Sequence, residues 1–112
     1  MKNDSVYLEQ IGDCVKKIKD FTKGMDSAQF SKDAKTQSAV IMQLTLIGEL
    51  AKKISQETRS KINLPWKEIT GFRDRAIHDY YQIDLEIVWQ TITEDLGLVT
   101  KAIKGAYGRH TR

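Results

Sequence analysis

AKTQSAVIMQLTLIGELAKKIS, residues 34–55, is the stretch on which the fold turns. Val40, Ile41, Leu44, Ile47, Leu50, Ala51 and Ile54 recur mainly at spacings of three and four, and Met42 and Leu46 widen the stripe. The segment therefore predicts a helix that is apolar over much of its circumference. Such a helix must be covered on more than one side, at the centre of a bundle or against a second subunit. Gln43, Thr45 and Glu49 interrupt the run, which makes it too polar to span a bilayer. Glu49 is read as an exposed helix position in preference to a buried site carboxylate.

Working outward, Tyr7, Ile11, Cys14, Val15, Ile18 and Phe21 give a first amphipathic helix from Asp4 to about Lys23. Asp4 or Ser5 can cap it and Gly24 can end it. Residues 25–33 read as a connection with one helical turn, anchored by Phe30. Downstream, Gln56 to Leu64 reads as a polar loop, and Pro65 suits the first turn of a third helix. That helix runs from Trp66 towards Tyr80, with Trp66, Ile69, Phe72, Ala76, Ile77 and Tyr80 facing inward. Asp84 can cap a fourth, in which Leu85, Val88, Ile92, Leu96, Val99 and Ile103 repeat at three and four up to Gly105–Gly108. The expected fold is all-α, an up-down antiparallel four-helix bundle with short connections. It forms one domain over residues 1–112 with a basic tail at 105–112.

Composition narrows the function. A chain of 112 residues with 40% hydrophobic and 29% charged residues suits a single soluble domain. The net charge of +3 permits an anionic partner without requiring one, because acids are interspersed with the lysines and arginines. Cys14 is alone, which excludes an internal disulfide and a cysteine metal cluster. No His-x-x-x-His pair, glycine-rich phosphate loop or Gly-x-Ser-x-Gly elbow is present. No metal and no cofactor are expected, and with no signal-peptide pattern the expected location is cytoplasmic.

Chemistry concentrates in GFRDRAIHDYY, residues 71–81. Arg73 stands five positions before His78, which places the two about 140° apart around a straight helix. They do not form an intrahelical pair. Asp74 and His78, four apart, can share a face. A site using both Arg73 and His78 needs a long arginine reach, a bent helix or a second subunit, and a symmetric dimer supplies two copies of each across one axis.

The segments VIMQLTLIGELAKKIS, LPWKEITGFRDR, RDRAIH and DYYQIDLEIVWQTITEDL together resemble the HepT-like branch of the HEPN superfamily. The resemblance runs from the second helix to the fourth most clearly. It implies a metal-independent endoribonuclease toxin that acts as a homodimer. Its partner is a nucleotidyltransferase antitoxin (MntA-like), with which it can form a larger hetero-oligomer. On that resemblance Arg73, Asp74 and His78 match the catalytic motif, and Tyr80 matches the tyrosine that the partner modifies with AMP. Asp79 departs from the glycine often found after the histidine.

The chemistry is self-consistent. RNA carries its own nucleophile, the 2′-hydroxyl, so His78 can act as base or acid while Arg73 holds phosphate oxygens. Asp74 can orient the imidazole or face solvent. Lys67, Arg75 and Tyr81 are candidate RNA contacts, by charge and by stacking. The alternative is a non-catalytic helical docking or substrate module for the transferase, its nuclease site weakened by the charge of Asp79.

Overall fold

The computed structural model describes residues 2–110 and is helical throughout, with no strand among them. Seven helices and one 3-10 turn are present among the described residues. They are α1 (Lys2–Phe21), α2 (Ser27–Lys32), α3 (Ala34–Lys53), α4 (Gln56–Lys61), α5 (Trp66–His78), the turn Tyr80–Gln82, α6 (Leu85–Glu94) and α7 (Leu96–His110).

The core follows the stripes. Leu8, Ile11, Val15 and Ile18 of α1 pack with Val40, Ile41, Leu44 and Ile47 of α3 and with Val88, Ile92, Val99 and Ile103 of α6 and α7. The central helix α3 lies between α1 and α5, while α7 leans on α1. Of the stripe predicted for α3, Met42 and Leu46 stay out of the core, 56% and 39% exposed.

Several connections are more structured than their polarity suggests. Asp26 builds a capping box with Gln29 at the start of α2, and Phe30 fills the core against Trp89 at a ring separation of 5.1 Å. Asp33 then caps α3 through Thr36. The segment read as a loop at 56–64 contains α4 instead, because Ser55 accepts a hydrogen bond from the Thr58 amide and starts a helical turn. Trp66 ties this turn to α5, its indole N–H donating to the carbonyls of Arg59 and Ile62, each at 3.0 Å.

Asp4 does not cap α1. It lies inside α1, buried, and accepts from the Ser55 amide (3.1 Å), the Ser55 hydroxyl (2.6 Å) and the Thr58 hydroxyl (2.5 Å). Burial pushes its pKa up, but the hydrogen bonds from Ser55 and Thr58 outweigh it and hold the carboxyl below its ordinary value. A depressed pKa means that this seam stabilises the fold above the ordinary carboxylate range and loses its effect as pH falls through the lowered value. Asp4→Ala is expected to cost about 2 kcal/mol at neutral pH, read by urea unfolding, with the difference from wild type shrinking as pH falls below the ordinary carboxylate range.

Two helix ends also differ from the sequence reading. Helix α5 stops at His78, because Asp79 leaves helical geometry (φ −151°, ψ 50°) and a 3-10 turn follows. Tyr80, beyond the break, is 43% exposed, and Ile77, still within α5, is 51% exposed, so neither faces inward. The fourth predicted helix is broken at Asp95 into α6 and α7, where Asp95 and Gly97 are poor helix-interior residues. The buried stripe survives the break, since the Asp95 carbonyl accepts from Leu98 and Val99 and restarts the helix. Helix α7 continues through Gly105 to His110. Of the basic tail, Arg112 lies outside the described residues.

Helix α5 rests mainly on α3 and leaves a groove of about 490 Å³ on the side of α6 and α7. Leu64, Ile69, Phe72, Ile83, Ile87 and Leu98 are among the residues that line it. No described helix is long and apolar enough to cross a membrane.

Candidate active site

The site begins where α3 and α5 touch most closely. Gly48 makes that approach possible: a Cβ there would collide with the Arg73 Cβ and lie 2.9 Å from the carbonyl oxygen of Ile69. One of those two neighbours is backbone and cannot swing aside. The missing side chain therefore sets the distance between the helices at Arg73.

Glu49, the next residue on α3, meets Arg73 directly, with Nε to Oε1 at 2.7 Å. The Nε atom is buried and its N–H is not aligned with the carboxylate, so the contact is a charge pair rather than a directed hydrogen bond. On the other side Arg73 Nη1 donates to Asp74 Oδ1 at 3.0 Å, and Lys52 of α3 donates to the same oxygen at 2.6 Å. Four charges in the order Glu49, Arg73, Asp74, Lys52 thus bind the two helices. The hydrogen bond to Asp74 raises the Arg73 pKa despite partial desolvation, with Glu49 adding to it. The bonds from Lys52 and then Arg73 hold Asp74 below the ordinary carboxylate range.

His78 is placed apart from this cluster. It occupies the last turn of α5 and is exposed, and its imidazole makes no hydrogen bond with any described residue. The α-helix is continuous from Arg73 to His78, so the two remain about 140° apart. The Asp74 carboxylate is taken by Lys52 and Arg73, and the Asp74–His78 contact is not formed. Lys67, eleven positions before His78, falls on the stripe of α5 that carries Asp74 and His78 and is exposed. Arg75 points elsewhere, its guanidinium 5.8 Å from the Phe72 ring centre at the groove.

Past the helix end, Tyr80 and Tyr81 meet edge to face at 5.6 Å, with Tyr81 95% exposed. Both hydroxyl-bearing rings are therefore within reach of an external reagent. No cluster of three or more metal-ligating side chains occurs among the described residues.

The sequence reading preferred an exposed Glu49 to a buried site carboxylate and did not single out Lys52. Glu49 is half-buried against Arg73 instead of standing free on the helix surface. The available signal was a Gly-Glu step inside an otherwise apolar helix, where glycine marks close packing and the acid then sits beside the packed neighbour.

These features define a helical module that carries an arginine and, apart from it, an exposed histidine on one helix, with carboxylates on both sides of the arginine. The chain belongs to the ribonuclease HepT-like family, whose model matches residues 11–105. It is 38% identical over 91 residues to a protein of Thermococcus cleftensis named "Probable ribonuclease HepT", covering 80% of this chain and 83% of that one. It is 35% identical over 105 residues to "Putative RNase TTE0752" of Caldanaerobacter subterraneus subsp. tengcongensis, covering 93% and 94%. No solved structure matches.

Proposed function

We propose that this protein is a metal-independent endoribonuclease, the toxin of a toxin-antitoxin pair, acting on RNA in the cytoplasm. The observation that carries the reading is Arg73: a guanidinium fixed from two sides, in a chain of the HepT-like ribonuclease family, with a free edge for a phosphate. Its second terminal nitrogen, Nη2, makes no hydrogen bond within the described chain. Arg73 neutralises charge on the phosphorane as the 2′-oxygen attacks. His78 exchanges protons with the 2′-hydroxyl and the leaving 5′-oxygen. Asp74 acts through Arg73. Lys67 and Tyr81, both exposed, contact the RNA strand, and Arg75 adds charge nearby.

The angular gap between Arg73 and His78 is what a homodimer resolves. Met42, Leu46 and Glu49 share one stripe of α3, and Ile77 follows Arg73 by one turn on α5, so exposed apolar side chains adjoin the ion-pair cluster on both helices. A second copy seated there brings its own Arg73 and His78 to the same cleft. The same gap also favours the second reading, a non-catalytic docking module for a nucleotidyltransferase. An RNA oligonucleotide and its 2′-O-methyl counterpart separate the two: the endoribonuclease cleaves the first and leaves the second intact, whereas the docking module cleaves neither.

Control by the nucleotidyltransferase antitoxin fits the exposed Tyr80. Adding AMP to its hydroxyl places phosphate charge two residues beyond the motif helix, where it competes with RNA for the Arg73 cation. Incubation with the partner and ATP is expected to add one or more AMP masses to wild type and to abolish cleavage. Tyr80→Phe is expected to stay active and unmodified, read by intact mass and by RNA cleavage. Modification of Tyr80→Phe at Tyr81 with full silencing would move the target by one residue and contradict the assignment.

A further inference from the structure

We infer that Glu49 is a positioning residue for cleavage, the counter-ion that fixes the plane of the Arg73 guanidinium so that its outer edge meets a phosphate; this rests on the ribonuclease reading. Three observations carry it. The inner nitrogen Nε is buried, and the Glu49 carboxylate at 2.7 Å is the charge that compensates it. Gly48 lets the helices approach until that contact forms, and a side chain there would strike Arg73 itself. Asp74 holds Nη1 from the opposite side, leaving Nη2 as the terminal nitrogen with no partner among the described residues.

An arginine on a single helix samples many rotamers, and ordering it on substrate binding would consume binding energy. Glu49 and Asp74 order it beforehand. Their roles differ, because Asp74 is adjacent to Arg73 on α5 and shares its oxygen with Lys52, whereas Glu49 reaches across from α3. Glu49 therefore ties the direction of Arg73 to the packing of the two helices. A carboxylate could instead compete with phosphate for the arginine, and the two roles have opposite signs on neutralisation. Positioning predicts slower turnover; competition predicts tighter RNA binding and faster turnover.

The test is steady-state cleavage of a fluorescent RNA by wild type, Glu49→Gln, Glu49→Ala and Asp4→Ala, with nitrogen-15 NMR of the arginine Nε–H groups. Glu49→Gln, which keeps an oxygen against Nε, is expected to lower kcat about tenfold and Glu49→Ala about 100-fold. KM is expected to stay within about threefold of wild type in both. Asp4→Ala loosens the distant α1–α4 seam, so it is expected to lower stability and leave kcat unchanged. The Arg73 Nε–H resonance should be ordered in wild type and Asp4→Ala and motionally averaged in Glu49→Ala.

Unchanged kcat in both Glu49 variants, or faster turnover with lower KM, overturns the positioning role alone. An Arg73 resonance as ordered in Glu49→Ala as in wild type overturns the clamp. A folded wild type that cleaves no RNA overturns the ribonuclease reading and this role with it, while the NMR comparison still decides whether Glu49 holds Arg73.

Discussion

Arg73→Ala and His78→Ala should each reduce RNA cleavage at least about 100-fold, because each removes a function that no neighbouring side chain can take over. Lys52 shares the Asp74 oxygen with Arg73, but it is a point charge already bound there at 2.6 Å. His110, on the final turn of α7, is the other histidine of the chain. The two losses should differ in kind. Arg73→Ala removes a phosphate contact as well as transition-state charge, so it should raise KM and lower kcat. His78→Ala removes proton transfer and should act mainly on kcat. The folds should respond differently too: Arg73→Ala leaves Glu49 half-buried without its cation and should lower the unfolding midpoint, whereas exposed His78 has no partner to leave behind. Urea unfolding of both variants alongside the kinetics checks this separation.

Gly48→Val is the substitution expected to damage fold and site together. The new side chain must occupy space held by the Arg73 Cβ and the Ile69 carbonyl, so α5 has to move off α3. Overpacking of this kind costs about 2 kcal/mol, and a shift of about 1 Å at Arg73 is enough to lower turnover about 100-fold. Gly12→Ala is the matched control. It lies inside α1 with open space around it, so the same loss of backbone freedom should stabilise the helix by up to about 1 kcal/mol and leave cleavage intact. Equal stability of Gly48→Val and wild type would show that the helices do not depend on this contact.

The helical stripes were legible because burial in α1, α3, α6 and α7 repeats with the period of the helix itself. Phe30, Asp84 and Gly24 were legible for local reasons: an isolated aromatic, a cap that bonds the Glu86 and Ile87 amides, and a residue that accepts φ 78°. Other features depended on partners far along the chain. Asp4 reads from its neighbours as a cap for α1, yet its acceptors serve Ser55 and Thr58, more than fifty positions away. The partner of Glu49 is likewise on another helix, and no periodicity marks a residue that is half-buried by a single ion pair. Ile77 and Tyr80 continued the α5 stripe on paper, but Ile77 is exposed within the helix itself and Tyr80 follows the departure of the backbone at Asp79.

Wild-type and His78→Ala protein, shown to be folded and unmodified at Tyr80, should be incubated with total cellular RNA in EDTA and the fragment ends identified. Fragments with 2′,3′-cyclic phosphate and 5′-hydroxyl ends from wild type alone are the predicted result, since they require 2′-hydroxyl attack, independence from divalent metal and the imidazole. Cleavage that EDTA abolishes, or equal cleavage by His78→Ala, would contradict the account.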